Sequence, residues 1–243
     1  LFNNTTASNN TAVGGNALLA NTTGVENTAV GALALDANTT GGYHTAIGVG
    51  ALGATTTGNY NTAVGRYASL SNTTGSNNVA TGFRSLETNT TGVNNVANGM
   101  YALLASTNAS NNTAVGYNSL AANTTGGGNI AVGSGAGDTI TTGTGNTILG
   151  NSADVDAVGA VNRIALGNQV ICQSDNRITV GAGGTVASLE IDGSDTSWAA
   201  SSDLRLKKDV ADSTVGLNFI KALRPVTFKW NAKNAIANTL PQY

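Results

Sequence analysis

Between Ser202 and Asp209 the chain places a hydroxyl, two carboxylates, an arginine and two lysines within the run S-D-L-R-L-K-K-D. A serine hydroxyl is a weak nucleophile until a neighbouring base takes its proton, and a lysine does so once desolvation lowers its pKa. Elsewhere the sequence offers little chemistry. His44 is the only histidine and lies 17 residues from Asn27 and from Asn61, so it reads as an exposed variant of a recurring asparagine rather than a catalytic base. The one cysteine, Cys172, has no partner for an intrachain disulfide and reads as a small half-buried residue, because a reactive thiol needs an electropositive site. Asp154 and Asp156 in NSADVD could approach a cation, but two carboxylates without further oxygen ligands make a poor site, and no metal or cofactor is expected. The glycine-rich GSGAG at 133–137 lacks the Lys-Ser/Thr of a phosphate loop and reads as a turn.

The remainder of the chain must hold that segment or present a surface. Of 243 residues only 10% are charged, against about 25% in an ordinary globular domain, and the net charge is -2. Glycine supplies 32 positions and proline 2, without the strict three-residue period of collagen. Hydrophobic residues make up 40%, too many for a fully disordered chain, but aromatics are 5% and Ala, Val and Leu dominate. Burial should therefore be narrow and repetitive. No basic stripe invites nucleic acid or an anionic membrane, and no run of 18 apolar residues spans a bilayer. The opening LFNNTTASNN has neither the charged nor the apolar region of a signal peptide, and the missing initiator Met reads as a piece of something longer.

The organising fact is a repeat. The motif TAVG or a variant places its glycine at 14, 31, 48, 65, 82, 99, 116, 133, 150 and 167, always 17 residues apart. Equal steps without insertion suit stacked coils. A second series, N-T-T-G or similar, ends at Gly24, Gly41, Gly58, Gly75, Gly92, Gly126 and Gly143 and reads as turns in which glycine permits positive φ. A third holds Leu18, Leu35, Leu52, Leu86, Leu103 and Leu120, broken by Ser69 beside Leu70. One leucine and a few small apolar residues cannot stabilise a lone copy, at about 1.5–3 kcal/mol per buried large side chain. In N-T-A-V-G, Thr and Val share one face and Asn and Ala the other, which predicts a short strand. Ten one-turn coils, about 4.8 Å apart, would extend roughly 45–50 Å.

These repeats resemble the β-roll heads of trimeric autotransporter adhesins and the shafts of phage tail fibres, over roughly residues 3–170. The resemblance implies a homotrimer in which small residues such as Ala29, Ala46, Ala63 and Ala80 pack along a common axis. The expected fold is thus mainly β: a 17-residue-repeat β-solenoid shaft over 1–167, a β neck over 168–197, and the start of a small α/β domain over 198–243.

Charge is segregated accordingly. Up to Gly150 the only basic residues are Arg66 and Arg84, whereas seven of the 11 basic groups follow Ser201. Asp212 or Ser213 can cap a helix reaching Leu223, with Val215, Phe219, Ile220 and Leu223 on one face. Pro225 stops it, VTFKW reads as a strand, and Trp198 and Trp230 read as core. From Ser202 to Asp209, and again in L-R-P-V-T-F at Leu223 to Phe228, the segment resembles the self-cleaving intramolecular chaperone domain that ends phage tailspikes and tail fibres. That resemblance implies assistance to trimerisation, then a single-turnover cut of the Ser201–Ser202 bond, with Ser202 as nucleophile and Lys207 as base. Asp203 and Arg205 are possible supports, and Lys208 is expected to be a solvated neighbour.

The function so implied is a tail-fibre shaft for host attachment in a virion, its partners being its own copies, other tail proteins and a host surface receptor, glycan or protein. Three other classes compete. A bacterial surface adhesin would share the roll but not the chaperone segment. An ice-binding protein would need the Thr pairs, such as Thr22-Thr23 and Thr39-Thr40, exposed and coplanar. A glycan depolymerase would need a carboxylate pair that the acid-poor shaft hardly supplies. The N-T-T tripeptides at Asn4, Asn21, Asn38, Asn72, Asn89 and Asn123 would be glycosylation acceptors on a eukaryotic surface protein.

Overall fold

The computed structural model describes residues 2–193 and 199–200. The expected helix, the VTFKW strand and both tryptophans lie outside them. The chain divides into two units, Leu1–Ser201 and Ser202–Tyr243, and the description concerns the first.

That unit is a β-solenoid with 17-residue coils, and the described residues contain no helix. Each coil contributes one three-residue strand: β1 (Thr11–Val13), β2 (Thr28–Val30), β3 (Thr45–Ile47), β4 (Thr62–Val64), β5 (Val79–Thr81), β6 (Val96–Asn98), β7 (Thr113–Val115), β8 (Ile130–Val132) and β9 (Thr147–Leu149). After the short β10 (Asp154–Val155), β11 (Ile164–Leu166) supplies the tenth. All ten pair in parallel with unbroken register, so Ala29, Ala46, Ala63 and Ala80 stand in one column. Beyond Gly167 the step shortens, because β13 (Arg177–Ala182) sets Ile178 opposite Ile164 of β11. A Gly183-Gly184 turn then reverses the chain into β14 (Thr185–Glu190), which pairs antiparallel with β13 and with β15 (Ala199–Ala200). β12 (Ile171–Cys172) pairs beside β10 in a second, two-stranded sheet.

The strand alternation has the expected faces, but the alanines do not line an axis between chains. Ala29, Ala46, Ala63 and Ala80 are fully buried within their own chain, under the leucines of the returning segment. Asn and Ala turn inward together, and the bend after each TAVG glycine folds Leu over them. The face left outside is that of Thr28 and Val30 and their equivalents.

Two glycine columns are fixed for different reasons. The TAVG glycines have φ between +121° and +142°, and a Cβ on Gly65 would stand 2.5 Å from the Gly82 carbonyl oxygen. The N-T-T-G glycines do not adopt positive φ, contrary to expectation; coil contact excludes their side chain instead, since a Cβ on Gly41 would meet the Gly58 oxygen at 2.4 Å. Left-handed backbone recurs at other places in each coil, among them the core leucines, with φ of 50–52° at Leu18, Leu35, Leu52, Leu86, Leu103 and Leu120. Such backbone costs about 1–2 kcal/mol per residue. Complete burial of each leucine side chain offsets it.

Candidate functional site

The inner corners of the coils carry two asparagine ladders. In the first, each Asn before the strand accepts from the next coil's backbone and donates to a turn carbonyl. Asn61 Oδ1 takes the Asn78 N–H at 2.9 Å, while Asn61 Nδ2 donates to the Gly75 oxygen at 2.8 Å. Each such bond contributes about 1 kcal/mol net, and leaving its buried group unpaired costs more. The second ladder uses the N-T-T-G asparagines: Asn38 Nδ2 donates to Asn21 Oδ1 at 2.8 Å and to the Gly41 oxygen at 2.9 Å. Where the next coil has Thr55, Ser106 or Ile140 instead, the oxygens of Asn38, Asn89 and Asn123 have no hydrogen-bond partner. Asn21, Asn38, Asn72, Asn89 and Asn123 are fully buried, so these acceptor tripeptides are closed to glycosylation in the folded shaft.

His44 is not exposed as expected; it is a buried rung of the first ladder. Its Nδ1 accepts the Asn61 N–H at 3.1 Å, and its Nε2 lies 2.7 Å from the Gly58 oxygen, which fixes the neutral Nε2–H tautomer. The ring thus reproduces the acceptor and donor of an Asn. Burial pushes its pKa down to about 4, whereas the unfolded chain takes up a proton near 6.5. Falling pH therefore favours the unfolded chain, and the loss reaches about 3 kcal/mol by pH 4. His44→Asn is expected to abolish that part of the acid sensitivity, measured as the difference in thermal midpoint between variant and parent from pH 7 to pH 4. Comparison at each pH is needed because Asp154 acts with the opposite sign. Burial, aided by Asp138, pushes its carboxyl up to about 6, so its protonation favours the fold as pH falls.

Asp154 and Asp156 do not converge on a cation. Asp154 is buried in the leucine column, where its Oδ2 accepts from Thr139 Oγ1 at 2.6 Å. Asp156 is half-exposed and pairs with Arg163. No group of three or more potential metal ligands occurs among the described residues. Cys172 is fully buried, not half-buried, its Sγ 3.5 Å from the Arg177 oxygen.

Arg163 ends the first ladder. Its backbone N–H donates to Asn146 Oδ1 at 3.0 Å, and its guanidinium reaches Asp175 at 2.7 Å, Asp156 at 2.6 Å and the Cys172 carbonyl at 2.9 Å. Only 6% of Arg163 is exposed. The column arithmetic that places His44 among asparagines also leads from Asn146 to Arg163, and sequence reasoning passed over it.

On the outer surface, the first Thr of each pair is half-buried and spends its hydroxyl on the next coil, as in Thr39 Oγ1 to the Thr56 oxygen at 3.1 Å. Only the second, such as Thr23, Thr40 and Thr57, is exposed. A single hydroxyl column remains, not the paired array of the ice-binding reading.

Ser201, Ser202, Asp203, Arg205, Lys207 and Lys208 all lie outside the described residues. Their segment is the one that comparison identifies: residues 202–241 match the family described as chaperone of endosialidase. No curated protein and no solved structure matches the chain. A 17-residue β-solenoid followed by a segment similar to that chaperone family is the class these findings define.

Proposed function

We propose that the chain is the shaft of a homotrimeric virus tail fibre, carried on the virion, followed by chaperone sequence that assists trimerisation and then removes itself. The observation that carries this reading is order: a ten-coil solenoid, closed by the β13–β14 hairpin, precedes in sequence a segment at 202–241 similar to the chaperone of endosialidase family. Such a chaperone belongs after the part whose assembly it assists.

The outward strand face supports self-association. Val30, Ile47, Val64 and Leu149 are each 36–41% exposed and stand in one column. Where that column turns polar at Thr81 and Asn98, the neighbouring outward column becomes aliphatic at Val79 and Val96. An apolar stripe thus follows the strands from coil to coil, and contiguous exposed apolar surface favours association. A second and a third copy, carrying the same stripe, are its natural cover.

In the processing step Ser202 is the nucleophile and Lys207 the base, with Asp203 and Arg205 as supports. Mass spectrometry of the full-length product tests this. The expected result is a cut before Ser202 in the parent and in Lys208→Ala, with none in Ser202→Ala or Lys207→Ala. Sedimentation should give three times the chain mass for every one of these proteins. A Ser202→Ala protein still cut at that bond would refute the assignment, and a parent sedimenting as one chain would refute the trimer.

A further inference from the structure

The shaft gathers Arg66, Arg84 and four aromatic side chains in one place, while the stacked Tyr43 and Tyr60 lie at the other end of the strands. Positions 66, 83, 100 and 117 follow successive TAVG glycines and form one column; 67, 84 and 101 form the next. In other coils these columns hold mostly Gly, Ala, Ser and Asn, but here they hold Arg66, Tyr67, Phe83, Arg84, Tyr101 and Tyr117. Arg66 and Arg84 are the only basic residues before Gly150.

The rings and guanidinium groups make two sets of contacts on adjoining coils, one centred on Tyr101 and one between Arg66 and Tyr67. Phe83 and Tyr101 meet edge to face with centroids 5.6 Å apart, and Tyr101 meets Tyr117 likewise at 6.2 Å. Arg66 lies 4.5 Å above the Tyr67 ring and donates to its hydroxyl at 3.1 Å; Arg84 lies 5.7 Å from the Tyr101 centroid. Tyr117 is 50% exposed. Tyr67, Arg84 and Tyr101 have φ of 59°, 54° and 62°, and Asn16, Leu33 and Asn118 in the same column of other coils are left-handed too. These side chains of the patch are partly buried.

The patch differs in kind from the aliphatic stripe. An assembly face must recur along the shaft, and the stripe does; this patch is confined to four consecutive coils. Its charge selects the occupant. Arg84 is paired with Glu87, but Arg66 makes no ion pair among the described residues. We propose that this patch binds a saccharide bearing a carboxylate, its ring faces resting on the aromatic edges around Phe83, Tyr101 and Tyr117 and its carboxylate on Arg66. An aromatic surface offers apolar area with little side-chain entropy to lose, and a guanidinium offers a carboxylate two parallel donors. The inference deepens the host-attachment reading by naming the chemistry of the receptor.

The test is an array of uronic- and sialic-acid oligosaccharides beside their carboxyl-reduced counterparts, probed with the full-length protein. The expected result is binding to acidic members in preference to reduced ones, weakened about tenfold or more by Arg66→Ala and by Tyr117→Ala. Tyr43→Ala, at the opposite end of the strands, should bind as the parent does. Binding to no acidic saccharide, or equal binding by the Arg66 and Tyr117 variants, would overturn the proposal. Loss of self-association in either variant would also overturn it, by showing that copies of the chain bury the patch. A parent that sediments as one chain yet binds the acidic saccharides would instead sink the fibre reading and leave this site standing.

Discussion

Ala63→Asp is expected to unfold the solenoid itself, and not only to separate its copies. Ala63 is fully buried in its own chain, in register with Ala46 and Ala80 on the coils to either side. A carboxylate there has no room and no cationic partner, and burying an isolated charge costs far more than the marginal stability of a domain. The neighbouring Val64 is 38% exposed on the outward face. Val64→Asp should therefore keep the parent's circular dichroism and thermal midpoint as a single chain while its assembly fails. Parallel melting and sedimentation separate the two. Unchanged melting of Ala63→Asp would contradict the inward placement of that column.

Arg163→Ala should produce the next largest loss. Removing one partner from a buried ion cluster typically costs 3–5 kcal/mol. Here the lower end, about 3 kcal/mol, is expected, because Asp156 and Asp175 keep 46% and 47% side-chain exposure and recover some hydration. The guanidinium also satisfies the Cys172 carbonyl, and three acceptors in different directions suit its fork. Arg163→Lys should consequently recover little of the loss. Urea midpoints at pH 7 measure both variants, and a lysine variant as stable as the parent would contradict the forked geometry.

The contrast between Ala63 and Val64 shows where sequence reading stopped. A period of 17 and an alternation of two are visible in the letters N-T-A-V-G, so coils, strands and the two faces follow from them. Which face closes inward does not. Thr-Val is not less apolar than Asn-Ala, and the choice depends on how the segment bearing Leu52 or Leu86 bends back, a matter of left-handed backbone that favours no ordinary leucine. His44 and Arg163 fail for a related reason. Their columns can be counted, but a titratable side chain argues for exposure unless a hydrogen-bonding ladder is already known to receive it. The aromatic set was equally countable, since 66, 83, 100 and 117 differ by one period. It became visible as a patch only once adjacent columns were seen to touch. For Ser202 and Lys207 the family likeness at residues 202–241 remains the support, carried by motif order rather than geometry.

The unbroken register of β1 to β9 has a genetic consequence. Because every coil presents the same hydrogen-bonding edge above and below, excision or duplication of one 17-residue unit rejoins matching edges. Each event changes the shaft by about 4.8 Å. Units of equal length with matching edges make the molecule a ruler whose graduations can be added or removed. The coils bearing Arg66 to Tyr117 are the exception. Losing one of those would shift the column contents against each other, and shaft length should vary more freely outside that stretch than within it.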